Sequence, residues 1–167
     1  MVDMKHFTLT KHDDELYSII KEVIHHSEKH ILLAQWAIDC LSRVLNEYEA
    51  QYPEDTILTT AINKLQLWMV GKLAMWEARK YTFRVLEHAR QIEKTDKTYA
   101  QIIRATSHAL ATCHVPRHAE GSAMYVISYL KLKNIQRPDV IEIMEKERVW
   151  QIDHLKSIMD IRNKKTA

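Results

Sequence analysis

Ten histidines in a chain of 167 residues are the first groups whose chemistry needs an account, and they cluster: His25, His26 and His30 in one region, His108, His114 and His118 in another. His26 with His30 and His114 with His118 are four residues apart, a spacing that lets two imidazoles on one helical face reach a common metal. The context argues against that use. There is no HEXXH pattern, Pro116 lies inside the second pair, and Ser27 stands where it would break a helix before His30 could share a face with His26. Hydrogen-bonded polar histidines are the preferred reading, and no cofactor is expected. His108, His114 and His118 are the candidate ligands of the alternative, a metal- or small-ligand-binding protein.

Other chemistries find less support. A carboxylate-bridged di-iron centre needs two Glu-x-x-His pairs, and only Glu22 with His25 has that spacing. Ser107 with His108 and Cys113 with His114 are sequence neighbours that point to different sides of a helix, so neither forms a nucleophile–base pair. Nucleophile-elbow, phosphate-loop and dinucleotide glycine patterns are all missing. No catalytic residues are assigned, and an enzyme is not expected. Cys40 and Cys113 form no CxxC pair and read as buried thiols.

A second polar pair is more informative. Stepping about 100° per residue puts Val140, Ile143, Met144, Trp150, Leu155 and Ile158 on one apolar arc, with Glu147 and Gln151 near its middle. Polar groups there are costly unless hydrogen-bonded. Either they are satisfied by histidine, tyrosine or backbone groups, or they line a partly open pocket or partner groove. His108, on a small-residue face with Ala105 and Thr112, is their expected partner. We therefore expect His108, His114, His118, Glu147, Trp150 and Gln151 to approach one another, and the alternative, a metal- or small-ligand-binding protein, would place a pocket among helices five, six and seven. Ala111, Ala119, Gly121, Ser122 and Ala123 suit close helix packing, and Gly121 inside a helix costs ~1 kcal/mol relative to alanine. Trp36, Trp68, Trp76 and Trp150 read as core. Tyr125 and Tyr129, four apart, are expected to be exposed in part and would mark the interface if the chain forms a homodimer.

These residues must be positioned by helices. Gly71 and Gly121 are the only glycines and Pro53, Pro116 and Pro138 the only prolines, far fewer turn residues than a sheet protein of this length needs. Apolar periodicity divides the chain into about seven helical segments. The first runs from after Lys11 to about His26, with Asp13 and Asp14 at its start. The second begins at Ser27 and ends before Tyr52 and Pro53. The third carries Ile57 to Met69 and is interrupted by Gly71. The fourth carries Trp76, Ala78, Phe83, Leu86 and Ala89. The fifth spans about Asp96 to Cys113, the sixth starts near Arg117, and the seventh runs from Arg137 and Pro138 to about Ile161. We expect an all-α fold, a compact single-domain array of six or seven helices, bundle-like, over residues 1–167. Residues 1–10 and 162–167 should be frayed and the second and seventh helices central.

Composition bounds the partners. Lys and Arg number 24 against 22 Asp and Glu, a net +2, so the charge excess of a nucleic-acid binder is absent from the totals. A chain this long buries roughly 70% of its unfolded surface and needs no disulfide or metal staple. No uncharged stretch approaches the ~18 residues of a membrane span, and residues 1–10 carry no secretory pattern, so a cytoplasmic protein is expected.

The run from Ser107 to Tyr125, with His114-Val-Pro-Arg-His118-Ala-Glu-Gly121 at its centre, followed by Glu147-Arg-Val-Trp-Gln151, resembles the Imm-five-like immunity proteins of bacterial polymorphic-toxin systems. Trp36-Ala-Ile-Asp-Cys40, Trp68 with Gly71, and Ala78-Arg79 agree with other parts of that family's pattern, so the resemblance covers about Leu33 to Leu155. It implies a noncatalytic cytoplasmic protein that neutralises a cognate toxin by direct binding. His108, His114, His118, Gly121, Tyr125, Glu147, Trp150 and Gln151 are then the family-motif or binding cluster.

Overall fold

The local chemistry of the turns sets where the helices begin and end. In the computed structural model, which describes the backbone of residues 9–166 and the side chains of residues 9–160, seven α-helices follow one another: α1 (Asp13–Val23), α2 (His30–Gln51), α3 (Ile57–Met69), α4 (Met75–Glu93), α5 (Lys97–Ala111), α6 (His118–Lys133) and α7 (Val140–Thr166). No strand occurs among the described residues. Asp96 caps α5 by accepting the Tyr99 amide at 3.1 Å. Gly71 ends α3 in the left-handed region, φ +74°. Its amide bonds to the Trp68 carbonyl and that of Lys72 to the Leu67 carbonyl, the paired bonds of a Schellman cap.

Two expected boundaries move. Ser27 starts a single 3-10 turn, Ser27–Lys29, and α2 begins at His30. His26 and His30 therefore never share a helical face. Asp13 does not cap α1 forwards but reaches back, accepting the Thr10 amide at 3.0 Å while the Thr10 hydroxyl also donates to it. Of the ends expected to fray, residues 1–8 and 167 lie outside the described residues. Thr10 is buried, and α7 is helical through Thr166.

The helices pack around α5. Nine of its 15 residues are buried, and it contacts α2, α3, α4 and α6. The Tyr48 ring lies near that of Tyr99, tilted against it, while His30 meets the Thr112 carbonyl, so α5 runs antiparallel to α2. Cys113 Sγ near the Met75 carbonyl and Arg104 bonded to Glu93 set the same relation to α4. Tyr99 beside Tyr129 and His108 beside His118 set it to α6. Small residues make these approaches close: Ala78, Thr82 and Ala89 on α4, Ala105, Ser107 and Ala109 on α5, Ala119, Gly121 and Ala123 on α6. The expectation that α7 is central is corrected, since α7 lies outside this group against α1, α2 and α6. One apolar cluster nevertheless joins residues of all seven helices.

Candidate functional site

The structure divides the expected cluster in two. His108, on α5, faces the start of α6, where its ring centroid lies 5.2 Å from that of His118 and 5.1 Å from that of Tyr125. The Nδ1 atoms of His108 and His118 are 3.3 Å apart, which requires one to donate and the other to accept, so the two neutral rings hold opposite tautomers. Gly121 makes room for this arrangement: a Cβ there would lie 2.5 Å from His108 Nδ1. The helix-propensity cost of Gly121 is thus the cost of seating an imidazole against the backbone of α6. His114 extends the group, its ring 5.4 Å from His118.

Burial keeps these rings neutral. It pushes the His108 pKa down to about 4, with the charges of His118 and Arg104 adding to the effect. His114 is lowered by burial and by the nearby His118, Arg79 and His30, and His118 by burial alone. Among the described residues, no three His, Cys, Asp or Glu side chains converge in a way that could hold a metal.

A cavity of about 260 Å³ opens beside the histidines, against α4 and not, as the ligand-binding alternative required, against α7. Its walls are Arg79, Thr82 and Phe83 of α4 together with His108, His114 and His118, and no residue of α7 contributes. Two buried polar atoms of this wall, Thr82 Oγ1 and His114 Nδ1, have no hydrogen-bond partner.

Glu147, Trp150 and Gln151 do not join this group. They meet α2 and the side of α6 that carries Ala123, about 200° around the helix from Gly121. Arg43 Nε contacts both Glu147 carboxylate oxygens at 2.8 and 2.9 Å, and its guanidinium lies 3.8 Å over the Trp150 ring. Trp150 stacks on His154, whose Nε2 is 2.7 Å from Asp39. Gln151 is fully buried: its amide donates to the Ala123 carbonyl at 3.2 Å, its side-chain oxygen accepts from Arg148 at 2.7 Å, and its backbone carbonyl accepts from Trp36 Nε1 at 2.9 Å. Arg148, 3% exposed, also donates to Asp13 at 2.8 Å. Burial raises the Asp13 pKa, but the bonds from Thr10 and the Arg148 charge outweigh it and leave the carboxyl below its usual range. The polar residues of the α7 arc are therefore satisfied, though not by His108.

Arg43, Arg148, Asp39 and His154 were missed as site residues. The signal was present for two of them: Arg43 lies three and seven residues beyond Cys40 and Trp36 on the inner stripe of α2, and Arg148 shares a stripe with Met144 and Leu155. A further network, the Tyr48 hydroxyl and His88 Nε2 converging on Asp55, closes the opposite end of the molecule and was also missed. Trp36 is buried and Trp68 and Trp150 partly so, whereas Trp76 is 64% exposed, against expectation. Tyr129 is fully buried and donates to Glu47 at 2.7 Å, so it cannot mark a dimer interface; Tyr125 is half-buried. Cys40 and Cys113 are buried and free, as read from the sequence.

A family model described as Imm-5 like putative immunity protein matches residues 24–158. No curated protein and no solved structure matches the chain.

The His108–Gly121 contact makes two predictions. Gly121→Ala should gain helix propensity yet destabilise the protein by about 1–2 kcal/mol, because the new methyl group drives the His108 ring toward the adjoining cavity and away from its contacts with His118 and Tyr125. Adding His108→Ala should relieve much of that cost, giving a clear coupling in a double-mutant cycle read by chemical denaturation. The pH dependence follows from the same burial. Between pH ~6.5 and about 4 an unfolded histidine binds a proton that His108 in the folded chain does not. Its contribution is thus fully present above pH ~6.5 and is lost as pH falls. Unfolding measured at pH 7 and pH 5 should show the native chain losing about 1–2 kcal/mol more than the His108→Ala variant.

Proposed function

The chain belongs to the Imm-5 like putative immunity protein family, and from that premise we propose that it neutralises a cognate protein toxin by direct, noncatalytic binding in the cytoplasm. The observation that carries the reading is the extent of the family match. Residues 24–158 take in α2 to α6 and most of α7, so the likeness is to the scaffold as a whole.

The geometry supports a binding role for a scaffold of this kind. His108, Gly121 and Tyr125 interlock α5 with α6, and Gln151 is spent on bonds to α2, α6 and α7. The motif residues hold helices in place, which leaves recognition to surface side chains. A standard interface of ~800 Å² per partner takes only a small share of the 9543 Å² accessible surface. Two buried, unpaired thiols suit a reducing compartment. No helix among the described residues is long and apolar enough to cross a membrane. The alternative, a small-ligand protein, draws its support from the cavity beside His114 and its two unpartnered polar atoms.

Co-expression with the protein encoded next to this chain tests the proposal. The expected result is relief of growth arrest and a stoichiometric complex on size exclusion. An arrest that persists with no complex would overturn the reading, and protection at far substoichiometric amounts would overturn its noncatalytic part.

A further inference from the structure

The surface of α4 differs from the rest of the molecule. Trp76 and Phe83 are 64% and 65% exposed, and seven residues apart they share one face of the helix. Val70 and Met75 lie exposed just before them. Adjacent large apolar groups in water are characteristic of an interaction surface.

The charge of this region is equally uneven. Residues 70–84 contain Lys72, Arg79, Lys80 and Arg84 against Glu77 alone, a net +3, whereas the whole chain is +2. The remaining residues therefore carry 20 positive and 21 negative charges, a net −1. Residues 131–137 and 156–167 are each as basic by sequence, but Lys133, Arg137 and Lys156 are ion-paired with Glu47, Asp139 and Glu15. Among the described residues none of Lys72, Arg79, Lys80 and Arg84 is in an ion pair, unlike Arg43, Arg104 and Arg148. The Arg84 guanidinium lies 5.8 Å from the centroid of the Tyr81 ring.

The patch is continuous with the histidine-lined cavity, because Arg79 and Phe83 belong to both. Inside it, the unpartnered Thr82 Oγ1 belongs to a residue only 8% exposed, and His114 Nδ1 is unpartnered as well. Buried polar atoms without partners are costly in a finished structure. The Thr82 hydroxyl, an N–H of His114 and the Arg79 guanidinium at the rim can all donate, and the His108–His118 pair keeps one further N–H free, a set that suits an acceptor-only, negatively charged group.

Building on the immunity reading, we infer that the toxin docks an acidic, partly apolar surface on the exposed face of α4, between Trp76 and Phe83, and inserts a carboxylate side chain past Arg79 into the cavity. A nucleic acid is the less suited occupant. Glu77 and Glu87 flank the aromatic stripe on the same helix, and four cations fall short of a groove that tracks a phosphate backbone.

The test uses the full chain and, as probe, the purified protein encoded beside it, with affinity measured by calorimetry at low and high salt. Trp76→Ala with Phe83→Ala, and Arg79→Glu with Lys80→Glu, should each weaken binding at least about tenfold, with melting temperatures unchanged because all four side chains are exposed. Ile141→Ala on the exposed side of α7 should stay within about twofold, and native binding should weaken as salt rises. Thr82→Val separates recognition from structure: it removes an unpartnered hydroxyl, so stability should hold or rise while affinity falls about fivefold. If the native chain binds the toxin and the α4 variants bind equally well, this surface assignment is overturned and the immunity reading stands. If the native chain does not bind it, both fall together. Retention of a single-stranded oligonucleotide that Arg79→Glu with Lys80→Glu abolishes, with toxin binding untouched, would also overturn the assignment.

Discussion

A helix enclosed by four others constrains everything near it. α5 is in contact with α2, α3, α4 and α6, so its side chains must be small or wholly apolar where backbones approach, and any polar group it carries inward must find a partner. Ala100, Ala105, Ala109 and Ala111 meet the first demand, with Ile102, Ile103 and Leu110 filling the spaces between helices. His108 is the exception. It is tolerated because Gly121 yields the space of a side chain and because burial holds the imidazole neutral, which removes the larger cost of an enclosed charge.

The second demand shapes α7, which packs outside that group, burying Met144, Ile152, Leu155 and Met159 and adding a seam of polar bonds. Arg148, Gln151 and Glu147 join it to α1, α2 and α6 through Asp13, Trp36, Arg43 and the Ala123 carbonyl. Such a seam is directional, since each bond has one geometry, and it adds to the register that the buried apolar side chains of α7 set. Between the enclosed α5 and the fastened α7, the motif residues are occupied in holding the scaffold. The exposed face of α4 takes no part in either task, and there large aromatic groups and unpaired cations stand in water.

Much of this was legible in the sequence. Scarce glycine and proline, seven apolar stripes, the break at Gly71 and the burial of Trp36, Cys40 and Cys113 all follow from local pattern. The errors share one physical origin: a 3.6-residue period says which residues share a face, not which element covers that face. Glu147 and Gln151 were correctly placed on an inner arc, yet α7 turns that arc to α2 and to the far side of α6, so His108 never reaches them. Trp76 was assigned to the core because it lies beside an apolar stripe. On α4, however, the buried stripe is Ala78, Thr82, Val85 and Ala89, smaller and less conspicuous than the exposed Trp76 and Phe83. Tyr129 was expected to be partly exposed, as an interface aromatic four residues from Tyr125, but its ring is buried and its hydroxyl donates to Glu47 across the helix interface. Arg148 shares a helix face with Gln151, three residues on, but it escaped notice because its charged partner Asp13 becomes a neighbour only once α1 and α7 are packed.

The central claim is that a rigid scaffold organised around α5 presents α4 as the surface a toxin contacts. Hydrogen exchange on the free chain and on its complex with the neighbouring gene product tests this most directly. The account predicts that α5 amides exchange slowly in both states, and that new protection on binding centres on residues 72–87 with α7 unchanged. New protection confined to α1 and α7, or fast exchange along α5 in the free chain, would contradict it.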